Sequence, residues 1–408
     1  MTARGTAGLA SMLLVCFAGA TGAQTLPSEP ISIAGGRVTV GGDVSATIGS
    51  EDPGFFTYTD YGHSFLRMVR IDVAAAVKAG PHFTVLGELR SENFDQVRPY
   101  ALYVRIRPWT ARDFDIQVGR VPPTFGAFAR RTYAGDNPLI GYPLAYQYMT
   151  TMRADALAAN VDELLRKRSL GWGFRYSVGE PAPGGGVPLV TAFRWDTGVQ
   201  VHAVKGILSG TASVTAGTVS NPLFHDDNGG RQLAGRVELR PISGLVAGAS
   251  LAQGPFLGRD AARAATGDFS DDNATQYTQT AWGVDLEYSR DHYLVRFETV
   301  GTDWRLPAVR APELPEALGA LSTSVEGRYK LRPGLYAAAR FDHLGFSEAV
   351  GTRQTLPWDA PVTRIEAGGG YSLQRNLLLK ITYQHDRRDG GILVPVAHLG
   401  AAQLVFWF

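Results

Sequence analysis

The chain has 408 residues, 45% of them hydrophobic and 19% charged, and a formal net charge of +1. A balance so close to neutral leaves no electrostatic footprint for nucleic acid or for a polyanionic partner. Forty-eight glycines disfavour a helical bundle and suit strands and turns, and the one cysteine, Cys16, leaves no pair for a disulfide or a thiolate metal site.

In chain order the first element is an export leader. Arg4 precedes an apolar stretch centred on Met12 to Ala18, and the small residues Thr21-Gly22-Ala23 follow. Residues 1–23 are therefore expected to be a signal peptide cleaved after Ala23, with residues 24–408 as the exported domain. The apolar run is shorter than the ~20 residues a spanning helix needs. Val15 is not the small residue expected before a lipidated cysteine, so Cys16 is not read as a lipid anchor.

From Ile31 onward the dominant period is two. Phe65, Val69, Ile71, Val73 and Val77 share one parity, and Arg70, Asp72 and Lys78 the other. Tyr100, Leu102, Val104 and Ile106 oppose Tyr103, Arg105 and Arg107; Tyr293, Val295 and Phe297 oppose Arg296 and Glu298; Leu377, Leu379, Ile381 and Tyr383 oppose Lys380, Thr382 and Gln384. The upstream strands predicted are 31–49, 64–79, 82–93, 97–108, 113–120, 169–178, 188–196, 198–206 and 210–220. Downstream they are 231–240, 244–254, 277–289, 292–301, 319–330, 333–344, 362–373, 376–387 and 397–408. The total is about eighteen, or sixteen if 169–206 makes one long pair; either is even, as single-chain membrane barrels require.

Alternation also occurs in soluble sandwiches, and three features separate the cases. Short connections such as Lys78–His82, Ser289–His292 and Gln374–Asn376 alternate with long ones around 50–63, 121–168, 255–275, 302–317 and 345–361. Barrels of the outer membrane keep that rhythm of short periplasmic turns and long outer loops. Aromatics at strand ends (Trp109, Trp172, Tyr176, Trp282, Tyr288, Tyr329, Tyr371) suit interfacial girdles. Finally, the chain stops on Ala401-Ala402-Gln403-Leu404-Val405-Phe406-Trp407-Phe408. This ending resembles that of the bacterial outer-membrane porins, whose terminal phenylalanine is the signal read by the barrel-assembly machinery. Phe408 takes that role by resemblance. The predicted class is all-β: a transmembrane antiparallel up-and-down β-barrel in the outer membrane of a Gram-negative bacterium, with a long inserted loop at 121–168.

On the polar face of the strands the signs alternate: Arg70/Asp72, Glu88/Arg90, Arg236/Glu238, Arg296/Glu298, Glu326/Arg328, Arg340/Asp342 and Arg364/Glu366. Residues two apart share a face, so these predict a ladder of salt bridges around the inner wall. The constriction is expected in 121–168, after Gln117-Val118-Gly119-Arg120-Val121-Pro122-Pro123-Thr124-Phe125-Gly126. That stretch resembles the strand entering the folded-in third loop of many porins, including the phosphate-selective porin O/P group. If the segment folds inward, Arg130 and Arg131 would face Arg105, Arg107 and Arg120, with Asp136 nearby, and guanidinium forks favour anions. The phosphate-selective group depends on a lysine and arginine ladder, and lysines are few here.

The function expected is a channel for passive or weakly selective diffusion of small hydrophilic, in one reading anionic, solutes. The alternative is a non-conducting barrel with a structural, adhesion or surface-loop binding role. No Gly-x-Ser-x-Gly, P-loop, His-Glu-x-x-His or dinucleotide motif occurs, so no enzyme, cofactor or metal site is predicted. The partners expected are outer-membrane lipid and lipopolysaccharide, the assembly machinery and small solutes, with a homotrimer as the oligomer considered.

Overall fold

The computed structural model describes residues 27, 29–59, 62–270 and 272–408, and the expected leader 1–23 and the Arg130 side chain lie outside the described residues. The chain builds β1 (Val38–Gly49), β2 (Val69–Lys78), β3 (Phe83–Glu92), β4 (Gln96–Ile106) and β5 (Phe114–Val121). After an insertion come β6 (Asp196–Lys205), β7 (Leu208–Thr215), β8 (Gln232–Leu239), β9 (Leu245–Pro255), β10 (Thr278–Arg290) and β11 (Tyr293–Arg305). The last five are β12 (Ala317–Arg332), β13 (Leu335–Phe346), β14 (Val362–Gln374), β15 (Leu377–Arg388) and β16 (Val396–Trp407). Each pairs antiparallel with the next, and β16 returns to β1, with Trp407 opposite Asp43 and Ala401 opposite Gly49. The backbone of Phe408 completes the seam, exchanging two 3.0 Å hydrogen bonds with Gly42. The ring of pairings leaves the barrel without an edge strand, as a hydrocarbon surrounding demands.

The period of two decides which way side chains face. On β11, Val295 and Phe297 are 47% and 38% exposed, while Glu298 and Trp304, of the opposite parity, are 9% and 0% exposed. The same holds on β14 and β15, where Ile365 and Ile381 point out and Arg364, Glu366 and Lys380 are fully buried. Apolar outside and charged inside inverts a soluble protein, and it is the arrangement a lipid solvent selects. Tyr288, Tyr293, Tyr329 and Tyr371 gather near the short-turn end, with Tyr293 directly opposite Tyr329 and Tyr371 opposite Leu335.

Short turns at 79–82, 107–113, 206–207, 240–244, 291–292, 333–334 and 375–376 share the end that holds the seam at Phe408. Long loops occupy the other end, apart from the shorter connections at 93–95 and 389–395. Three expectations need correction. The count is sixteen, the lower of the two expected, and the strands placed at 169–178 and 188–196 are the ones that are not in the barrel. Glycines and prolines punctuate 171–188, and residues 187–193 are buried on both sides, so they cannot present one face to lipid and one to the lumen. The insertion therefore runs from 122 to 195. Residues 31–49 break at Ala34–Arg37, and the three-residue strand Ile31–Ile33 folds back along the start of β1. Trp172 and Tyr176 lie in the insertion and take no part in a girdle.

Candidate lumen and constriction

The insertion turns inward as soon as β5 ends. Gly126 has φ +78°, and a Cβ there would collide with the Tyr146 hydroxyl, so the turn requires glycine. Gly126 N donates to Ser250 Oγ of β9 at 3.1 Å, and Ala127 N to Glu298 Oε1 of β11 at 2.7 Å. Tyr146 donates its hydroxyl to the same Glu298 oxygen at 2.6 Å. Glu298 therefore holds both ends of the segment 126–146.

Contacts with the wall continue around the barrel. Tyr133 donates to Glu88 of β3 at 2.6 Å, and Arg70 of β2 donates to the Tyr142 hydroxyl at 2.8 Å. Gly141 N donates to Glu366 Oε1 of β14 at 3.0 Å, at a point where a Cβ would strike Gln384 of β15. Arg364 of β14 donates to Tyr142 O and Gln147 Oε1 at 3.2 and 2.9 Å. Lys380 of β15 is fully buried, and its Nζ donates to the carbonyls of Ala134, Asn137 and Leu139 at 2.5, 2.8 and 3.3 Å. On the opposite side Thr124 bonds Ser213 of β7, and Gln200 of β6 bonds Pro122 O. A segment bonded to inward-facing groups on so many strands lies inside the barrel.

Beyond residue 147 the insertion packs against the long loops. Leu157, Val161, Leu164, Leu189, Val190 and Phe193 share one apolar cluster with Phe56, Leu257, Trp304, Trp358 and Leu399. Asp359, in the β13–β14 loop, accepts the amides of Thr151, Ser169 and Ala360, each at 2.7 Å. The long-loop half of the barrel thus contains a buried apolar core.

The wall charges form the expected ladder, with its rungs running between strands more often than along them. Arg236 meets Glu238 at 2.9 Å and Asp285 of β10 at 2.6 Å. A continuous chain runs Arg131–Glu287–Arg296–Glu326–Arg340–Glu366, with contacts of 2.8, 2.8, 2.9, 3.3 and 2.6 Å. Arg340 also meets Asp342 at 2.9 Å. Arg70 pairs with Glu92 at 2.9 Å, Arg90 with Asp72 at 2.5 Å, and Arg364 with Asp386 at 2.6 Å. Side chains two apart on one strand lean toward cross-strand partners because those sit nearer the head groups of long arginines.

The expected constriction residues are thus dispersed. Arg70, Glu88, Arg296 and Arg340 are ladder or anchoring groups. Arg131 comes to Glu287 and does not join Arg105 or Arg120. Arg107 lies exposed on the short turn, bonded through its backbone to His82, and Arg120 donates Nε to Tyr100 O at 3.1 Å. Arg105 sits on β4 opposite Gln117 of β5. Asp136 is exposed in the insertion, flanked by Arg296, Arg131 and Lys380. Sequence reasoning missed Glu298, Glu366, Arg364 and Lys380 as anchors. Lys380 carried a signal, being one of only five lysines and at an inward parity within a strand.

Two cavities separate the insertion from the wall. One of about 190 Å³ is lined by Arg131, Arg236, Glu287, Arg296 and Arg340 among others. The other, of about 310 Å³, is lined by Gln117, Thr132, Tyr133, Gln200 and His202.

No family model matches the chain, and no curated protein matches it. Solved structures do. OmpF of Salmonella typhi, in complex with daunomycin, aligns with TM-score 0.58 and 13% identity over 93% of this chain and 100% of its own. The anion-selective porin of Comamonas acidovorans aligns with TM-score 0.54 and 11% identity, over 91% and 99%. A loop-deletion form of OmpT, an outer membrane protein of Vibrio cholerae, gives 0.53 and 13%, over 91% and 99%. The chain has the fold of the bacterial outer-membrane porins.

Proposed function

We propose that this protein resides in a bacterial outer membrane and passes small hydrophilic solutes by diffusion, along a path narrowed by residues 122–195. The observation that carries the reading is the pair of cavities between the insertion and a charged inner wall, inside a closed barrel with an apolar exterior. The neighbours described as a porin and as outer membrane proteins support the same reading. Preference for anions finds less support: most wall arginines are matched by carboxylates within 4 Å, so the ladder is close to neutral overall. Kinship with the phosphate-selective group rests on the turn Gln117–Gly126 alone.

One observation favours the second reading, a barrel that does not conduct: the buried apolar core in its long-loop half. Single-channel recording in planar bilayers separates the two. Reproducible conductance from the intact chain supports the channel. Silence from the intact chain, with conductance only after deletion of 127–147, supports a plugged barrel.

A further inference from the structure

The outer cap carries a groove that neither reading uses. It lies between α1 (Val161–Arg166) of the insertion, residues 353–356 of the β13–β14 loop and residues 391–392 of the β15–β16 loop, and encloses about 540 Å³. Three guanidinium groups line it, Arg166, Arg168 and Arg353, with one carboxylate, Asp162. Asp162 is already engaged, accepting Thr352 N at 2.8 Å and Thr352 Oγ1 at 2.6 Å.

Arg168 is the central group. It is 7% exposed, its Nε has no partner, and its Nη2 donates only to the Asp389 carbonyl at 3.3 Å. The carboxylates nearest in sequence and space are committed elsewhere: Asp389 to Arg387 at 3.4 Å, and Asp359 to three backbone amides. Burial pushes the Arg168 guanidinium below its ordinary value, against the opposing pull of Asp359 and Tyr148. A Cβ at Gly390 would come within 3.2 Å of both terminal nitrogens, so the glycine there leaves room for the guanidinium. A buried arginine with an unpartnered Nε beside two exposed ones is a receptor for oxyanions, since the fork matches two oxygens at once and a buried charge gains most from being paired.

We propose that this groove binds a phosphate-bearing ligand at the outer face, either the phosphorylated headgroup of an outer-leaflet lipid or a free phosphorylated solute. The site lies apart from the ladder in the lumen and does not depend on whether the barrel conducts.

The test uses the full chain folded in detergent, titrated calorimetrically with inorganic pyrophosphate in one arm and with diphosphoryl lipid A in mixed micelles in the other. Binding in at least one arm is expected, weakened tenfold or more by the double variant R166Q/R353Q, whose sites are exposed and whose loss leaves the packing intact. Arg168→Gln should weaken it further, with folding verified by heat-dependent gel migration. Binding by lipid A alone assigns the lipid; binding by pyrophosphate as well assigns the phosphate group itself. No binding in either arm at millimolar concentration, or equal affinity in R166Q/R353Q, overturns the proposal.

Discussion

Lys380→Met is the sharpest perturbation of the lumen. The Nζ is fully buried and holds three carbonyls of the insertion within one stretch of six residues, 134–139. Bonds from a charged donor contribute about 1.5–3 kcal/mol each. Water entering from the adjacent lumen would replace part of that, so a loss of about 3–5 kcal/mol in local anchoring is a fair figure for the set. At about 1.4 kcal/mol per tenfold, even the lower bound raises the released population of this segment by about two orders of magnitude. Methionine keeps the length and the apolar stem, so the barrel itself should hold. In bilayer recordings the variant should show larger or noisier conductance than the parent, and limited proteolysis should newly cut near 134–139. Lys380→Arg, which keeps charge and donors, should lie closer to the parent. Identical conductance and cleavage patterns in parent and Lys380→Met would refute the claim that this lysine holds the constriction.

Arg340→Met should destabilise the barrel by about 3–5 kcal/mol, because it strands Asp342, Glu326 and Glu366 in the wall without their shared cation; urea unfolding followed by tryptophan fluorescence reads the shift. Glu298→Ala should cost about 2–4 kcal/mol, removing the acceptor for Ala127 N and the Tyr146 hydroxyl, and should raise conductance at the β9–β11 side. Asp359→Ala orphans three amides and should expose the 150–170 segment, seen as faster hydrogen exchange there with the strands unaffected. Although Asp136 reaches solvent in the lumen, desolvation by the protein around it pushes its carboxyl up from the ordinary value, against the pull of Arg296, Arg131 and Lys380. Its negative charge is therefore lost at a higher pH than an ordinary aspartate's as pH falls, and cation preference should drop over that interval. In Asp136→Asn that step should vanish from reversal-potential measurements, and its persistence would place the titration elsewhere.

The barrel was legible because one physical rule writes it. Lipid outside and water inside force alternation at every strand residue, so Tyr293 to Phe297 and Leu377 to Tyr383 announce themselves. Where that rule stops, the reading failed. Residues 187–193 are apolar in a run, which fits a buried strand as well as a segment packed inside a barrel, and nothing in the residue order tells the two apart. The ladder was visible as alternating signs, and its actual partners were not, because pairing across strands depends on register. Arg364 looks toward Glu366 in sequence and reaches Asp386 in space. The anchors of the insertion are single residues whose roles come from contacts more than 200 positions away, as with Gly141 and Glu366.

That dependence on register changes how the charged lumen should be understood. Had the arginines of the insertion met those of β4 and β5, the interior would hold an uncompensated positive cluster and a strong bias toward anions. Cross-strand pairing instead places Glu287 between Arg131 and Arg296, and Glu326 between Arg296 and Arg340. A chain of alternating charges has little net field beyond a few ångströms, and salt shortens its reach further. Its first consequence is mechanical: it stiffens the wall against which the insertion is tied. Selectivity then falls to the side chains outside the chain, Arg105 on the wall and Asp136 on the insertion. Neutralising Arg105 should shift ion preference more than neutralising Arg296, although Arg296 sits in the longer network. The opposite order of effects in reversal potentials would mean that the ladder, and not its unpaired neighbours, sets the field.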